Sequence, residues 1–114
     1  MIIDKGDVAA KTLFSKIAQT QTRLLEIGCG DGRLTRSLQG KFVKLVAIDP
    51  DAESIHDARE KFPEIDFRVT SGESPDINDG PFDIILFSLS LHHMNGDKAL
   101  GEAESLLASS GQVL

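Results

Sequence analysis

The sequence predicts an α/β domain in which a mainly parallel sheet is covered by helices on both faces. Three observations carry that expectation. Apolar runs of strand length alternate with helical stripes along the chain, with no internal repeat and no low-complexity segment. The runs are stopped by glycine, aspartate and proline, the residues that end strands and start turns. The most apolar run, Phe82-Asp83-Ile84-Ile85-Leu86-Phe87-Ser88-Leu89, shows no period-two alternation, as a central strand buried on both sides would not.

The elements follow in order. Val8, Ala9, Leu13, Ile17 and, less exactly, Phe14 fall on one helical face behind Asp7 as N-cap, which predicts a helix over about 8–19. Thr22 to Ile27 is a short apolar run stopped by Gly28, a buried strand. The turn Gly28-Cys29-Gly30-Asp31-Gly32 leads into a helix from Arg33 to Gln39, with Gly40 as its stop. Val43 to Ile48 makes the second strand. Ala52, Ile55, Ala58, Arg59 and Phe62 stripe the next helix, which Pro63 closes. Asp66 to Thr70 is the third strand, and the loop from Ser71 to Pro81 is longer than loops without a task. The fourth strand spans 82–89. After His92-His93-Met94-Asn95-Gly96 a helix over 97–109 carries Ala99, Leu100, Ala103, Leu106 and Leu107. Gly111 turns into Gln112-Val113-Leu114, the first residues of a fifth strand.

Composition bounds what such a fold can do. The 114 residues carry 12 basic and 18 acidic side chains, a net charge of −6, with 40% hydrophobic residues and a mean hydropathy of −0.09. A chain of this length buries roughly two thirds of its unfolded surface, enough for one core over residues 1–114 and not for two. It holds no apolar stretch of membrane-spanning length, and its first residues lack a secretory signal pattern, so the cytoplasm is the expected compartment and no membrane partner is expected. The single cysteine, Cys29, suits a reducing environment and provides neither a disulfide nor a Cys-rich zinc site. Residues 1–48 hold eight basic and four acidic side chains and residues 49–114 four and fourteen. The basic ones are scattered singly, which argues against a nucleic-acid partner. With no Trp or Tyr there is no base-stacking platform, and the six Phe residues read as core.

In parallel sheets of this kind ligands bind beyond the carboxyl ends of the strands, near the point where strand order reverses. Residues 26–32, 49–51, 71–75 and 88–93 fall there. Glycines at 28, 30 and 32 let the backbone turn sharply and approach a ligand, although a tight strand-to-helix connection needs them too. A dinucleotide fingerprint would place a further glycine at position 33, where Arg33 stands. Asp49 ends the second strand 21 residues after Gly28. It could accept from two ribose hydroxyls, or Asp49 or Asp51 could cap the following helix.

Taken together, Leu24-Leu25-Glu26-Ile27-Gly28-Cys29-Gly30-Asp31-Gly32, Val46-Ala47-Ile48-Asp49-Pro50-Asp51, Ser71-Gly72-Glu73-Ser74, Pro81-Phe82-Asp83-Ile84-Ile85 and Leu91-His92-His93-Met94 resemble the class I S-adenosylmethionine-dependent methyltransferases in order and spacing. The resemblance spans residues 24–114. It implies a Rossmann-like three-layer sandwich and S-adenosylmethionine as cofactor. It further implies that Gly28, Gly30 and Gly32 pass beneath the methionyl part, with Cys29 in the same turn and Glu26 positioning the turn or its ligand. Asp49 would hold the ribose hydroxyls and Pro50 would lie near the adenine. Glu73, beside Gly72, would face the adenine amino group, and Ser88 would line the pocket behind the sulfonium. Methyl transfer to an acceptor that is already nucleophilic needs mainly in-line placement, so no catalytic residue is named. His92 and His93 read as packing or loop capping, and Cys29 as a small residue that the turn accommodates.

Full members of that family continue with a fifth strand and helix and an antiparallel pair of strands, so this chain reads as a partial domain, incomplete at its C-terminal side. The expected activity is methyl transfer to an unidentified small-molecule acceptor. The alternative is a non-catalytic module that binds S-adenosylmethionine and needs a partner or the missing half. A nicotinamide-dependent oxidoreductase is the third reading, and Arg33 counts against it. A sheet edge at Val113-Leu114 would expose unpaired backbone and apolar surface, which predicts dimerisation or aggregation unless a partner covers it.

Overall fold

The computed structural model describes residues 22–73, 75–88 and 96–114. Among them the elements run β1 (Arg23–Ile27), α1 (Arg33–Leu38), β2 (Lys44–Asp49), α2 (Ala52–Lys61), β3 (Asp66–Val69), β4 (Phe82–Phe87), α3 (Gly96–Leu106) and β5 (Leu107–Val113). The helix expected over 8–19 and the His92-His93 pair lie outside the described residues.

All strand pairs are parallel, in the order β3-β2-β1-β4-β5. The register sets Leu25 beside Val46 and Ile85, and Ile27 beside Ile48 and Phe87. Because successive side chains point to opposite faces of a strand, these six share one face. There they pack with Ala99 and Ala103 of α3. The other face carries Leu24, Ile84 and Leu86 under Leu34 and Leu38 of α1. On that same side Ala47 and Phe67 pack under Ile55 and Ala58 of α2. The three layers of the expected sandwich are present, and the central strands are apolar on both faces because helices cover both. Each fully buried Leu, Ile or Phe contributes about 1.5–3 kcal/mol.

The connection from β3 to β4 departs from the usual crossover, for its described residues include no helix. Side chains of the loop do the covering instead. Ile77 is buried against Val46, Ile48 and Phe82 in the core beneath α3. Asp79 accepts from Lys44 Nζ at 2.8 Å and from Arg68 Nη1 and Nη2 at 2.5 and 3.0 Å. Arg68 also clasps Asp66 through Nε and Nη2, at 2.9 and 2.7 Å. The Arg68 guanidinium, with Lys44 beside it, holds the Asp79 carboxyl well below the usual carboxylate range. The task of the long loop is therefore partly structural: one apolar plug and one ionic clamp.

At the last helix the structure corrects the sequence reading. The helix ends at Leu106 rather than 109, and β5 begins at Leu107 rather than 112. Leu107 pairs with Phe82 and Gln112 with Ile84, with an irregular register between them. The helical stripe is Ala99 and Ala103, both fully buried, while Leu107 leaves the helix to join the ladder on the edge of β4. Gly111 is required by that irregularity. A Cβ there would stand 2.8 Å from Leu107 Cδ2 and 3.0 Å from the Asp83 carbonyl. The ladder continues through Leu114, whose N–H donates to the Ile85 carbonyl at 2.8 Å. Its side chain is buried against Leu24 and Leu86 rather than exposed as the sequence suggested.

Candidate functional site

Strand order reverses between β1 and β4, and the glycine turn opens there. Gly28, Gly30 and Gly32 have φ of 83°, 56° and 87°, the left-handed region that favours glycine. The N–H groups of Gly28 and Cys29 both donate to the Ile48 carbonyl, at 2.9 and 3.1 Å, which folds the turn over the end of β2. The Gly32 carbonyl then accepts the Arg36 N–H at 2.9 Å and starts α1. A Cβ on Gly32 would stand 2.7 Å from Phe67 Cζ. Gly32 thus lets the turn approach Phe67 of β3 and Ala58 of α2, while Arg33, where a dinucleotide fingerprint would place glycine, points to solvent with Asp31 at 3.3 Å.

Of the two aspartates that could cap the following helix, Asp51 takes the role. Asp51 is the N-cap of α2, accepting the Glu53 N–H at 3.1 Å and the Ser54 hydroxyl at 2.8 Å. Asp49 accepts the Gly30 N–H on Oδ2 at 3.0 Å and the Asp51 N–H on Oδ1 at 2.9 Å. Its half-buried carboxylate therefore joins the turn to the end of β2. Each of its oxygens keeps a lone pair for a further donor.

Glu26 is fully buried on the α1 side of β1. Its Oε1 accepts from the Thr35 hydroxyl of α1, and its Oε2 is hydrogen-bonded to the Ser88 hydroxyl at the end of β4. Ser88 also lies 3.0 Å from the Gly28 carbonyl, and its N–H donates to the Ile27 carbonyl at 3.1 Å. The carboxyl thus stands beneath the turn and connects three elements. Burial, with the charge of Asp49 added, pushes it up from its ordinary range despite the two hydroxyls.

The remaining expected site residues fall nearby in unequal ways. Pro50 is exposed at the end of β2; Gly72 is buried and Glu73 half-buried in the turn after β3, where the Glu73 N–H donates to Ser71 Oγ at 3.1 Å. The Cys29 side chain is buried with Ala47, Ile55, Ala58, Ile65 and Phe67, so its thiol belongs to the core under α2. Burial pushes that thiol up, with Glu26 and Asp49 adding to the effect, which removes it as a nucleophile at neutral pH. Sequence reasoning missed Thr35, a polar residue between Leu34 and Leu38 on the inward side of a short helix. It also missed Asp83, whose Oδ2 takes the Arg23 N–H at 2.9 Å and ties the starts of β1 and β4. Among the described residues no three metal-ligating side chains gather, and no helix is long and apolar enough to cross a membrane.

Residues 24–111 match the model of a family described as a methyltransferase domain. The chain belongs to that family. An uncharacterized methyltransferase of Schizosaccharomyces pombe is 29% identical over 98 residues, covering 85% of this chain and 39% of the relative. The YcgJ protein of Bacillus subtilis superposes with a TM-score of 0.79 at 25% identity, over 92% of this chain and 48% of that one. The plantazolicin methyltransferase BpumL, solved in complex with SAH, superposes with a TM-score of 0.77 at 20% identity, over 91% and 43% of the two chains. This methyltransferase domain thus spans less than half the length of each.

Proposed function

We propose that this methyltransferase domain binds S-adenosylmethionine along the carboxyl ends of β1 to β4 and serves methyl transfer to a small-molecule acceptor. The observation that carries the reading is the Asp49 carboxylate. Two backbone N–H groups hold it in place beside a left-handed glycine turn, and the free lone pairs of its two oxygens suit a pair of ribose hydroxyls. The charges fit as well. Asp31 and Asp49 at the turn are compatible with a sulfonium cation, whereas a triphosphate would want a lysine that this turn lacks. The SAH complex of a fold neighbour supports the same choice.

When bound, the cofactor supplies a methyl group on positively charged sulfur. The protein's own part is placement. Asp49 would fix the ribose end, Pro50 and Glu73 would lie toward the adenine, and the turn from Gly28 to Gly30 would approach the methionyl part with no side chain in the way. Ser88 and Glu26 would hold that turn from below. The lone buried thiol fits action in the reducing cytoplasm.

Calorimetric titration of the 114-residue protein with S-adenosylmethionine, S-adenosylhomocysteine and NAD tests the proposal. The adenosyl ligands should bind, and Asp49→Ala should weaken them by about tenfold or more, about 1.4 kcal/mol. Binding of NAD alone would overturn the reading.

A further inference from the structure

Beneath the turn, three buried acceptor atoms share two hydroxyl protons. Glu26 Oε1 faces the Thr35 hydroxyl, while Glu26 Oε2 and the Gly28 carbonyl both face the hydroxyl of Ser88. A serine has one proton to give. If Glu26 were ionised, Ser88 would give that proton to the carboxylate, and the Gly28 carbonyl would be left facing an oxygen lone pair. The carboxylate itself would be a charge with no exposed surface.

Among the described residues, the other groups around it do not help the charge. From the end of β2 comes Asp49, of the same sign, and from the turn the Cys29 thiol, which feels both carboxyls; α1 and β4 contribute the two hydroxyls. A protonated Glu26 removes the conflict. Its O–H donates to Ser88 Oγ, Ser88 donates onward to the Gly28 carbonyl, and Thr35 continues to donate to Oε1.

We infer that Glu26 holds a proton at neutral pH and acts as a positioning residue for the glycine turn, its hydrogen bond to Ser88 freeing that hydroxyl to hold the Gly28 carbonyl. The consequence for ligand affinity rests on the proposed cofactor; the proton does not. The chain of donors runs from Glu26 through Ser88 to the first residue with positive φ, so the protonation state of a side chain under the turn governs a backbone atom of the turn itself.

Infrared difference spectroscopy of the ligand-free protein against Glu26→Gln is the direct test. The parent should show the carbonyl band of a protonated carboxyl at neutral pH and the variant should lack it; no such band in the parent overturns the inference. Where Glu26→Gln fails to fold, Ser88→Ala supplies the readout. The band must persist and shift to higher frequency on losing its acceptor, and an unmoved band overturns the inference. In titrations with S-adenosylhomocysteine, Glu26→Ala should lose about tenfold in affinity and Glu26→Gln, which retains a donor toward Ser88, should recover to within about threefold of the parent. Equal losses would show that the negative charge is what matters and would overturn the inference. If the parent binds no adenosyl ligand, the cofactor proposal falls while the infrared band still decides the proton.

Discussion

Gly32 shows how one residue serves the packing and the site at once. Its φ of 87° lets the chain enter α1 directly from the turn, and its missing Cβ is the space that the Phe67 ring fills. Gly32→Ala meets both constraints, an unfavourable backbone and an overpacked contact, and should destabilise the fold by about 2–3 kcal/mol. Denaturant unfolding checks this, and a variant as stable as the parent would mean that Phe67 gives way freely. Among the aspartates, type alone does not separate roles. Asp49, Asp51, Asp79 and Asp83 hold respectively a turn, a helix cap, a loop clamp and a strand pair. Only their neighbours in space distinguish them.

Among the elements, the loop between β3 and β4 has no helix among its described residues, and there Ile77 seals the apolar face and Asp79 bridges Lys44 on β2 and Arg68 on β3. The Asp79 carboxyl lies below its ordinary value of 3.8 in the folded protein because it accepts from Arg68 and Lys44. Its contribution is therefore present above that value and is lost as pH falls through the lowered one. Asp79→Asn should cost about 1 kcal/mol at neutral pH, since the clamp is partly exposed. The gap between parent and variant should close in strongly acidic solution, as read by thermal unfolding across pH. A gap that stays constant into acid would show that the ion pairs contribute nothing. The same clamp holds the loop on which Gly72 and Glu73 stand, which connects loop stability to the edge where the cofactor is proposed to bind.

For the whole molecule, the sheet decides what remains open. Leu114 is covered, and the outer edge of β5 pairs with no other strand among the described residues. An unpaired parallel edge beside a core of this size favours association with another strand. The 114-residue protein by itself should elute in size-exclusion chromatography as a dimer or larger. A stable monomer at micromolar concentration would contradict that. Of the unpaired backbone and apolar surface expected at Val113-Leu114, the driving force that remains is backbone pairing along β5, since Leu114 is buried.

Much of this was readable from Leu24 to Phe87 because local periodicity and turn chemistry agree there with the tertiary environment. Apolar runs became strands, the stripe of Ile55 and Ala58 became the buried side of α2, and the glycines at 28, 30 and 32 took positive φ. The order of motifs pointed to the methyltransferase family, which the family match then showed. Among the described residues, the sequence by itself determined which elements form and that Gly28 to Gly32, Asp49 and Ser88 reach the carboxyl edge of the sheet. Tertiary structure decided where α3 gives way to β5, since pairing of Leu107 with Phe82 competes with one more helical turn and sequence periodicity does not weigh the two. It also decided that Asp51 rather than Asp49 caps α2, and that Glu26 meets Thr35 and Ser88, because hydrogen bonds between residues 9 and 62 positions apart exist only once the strands are assembled.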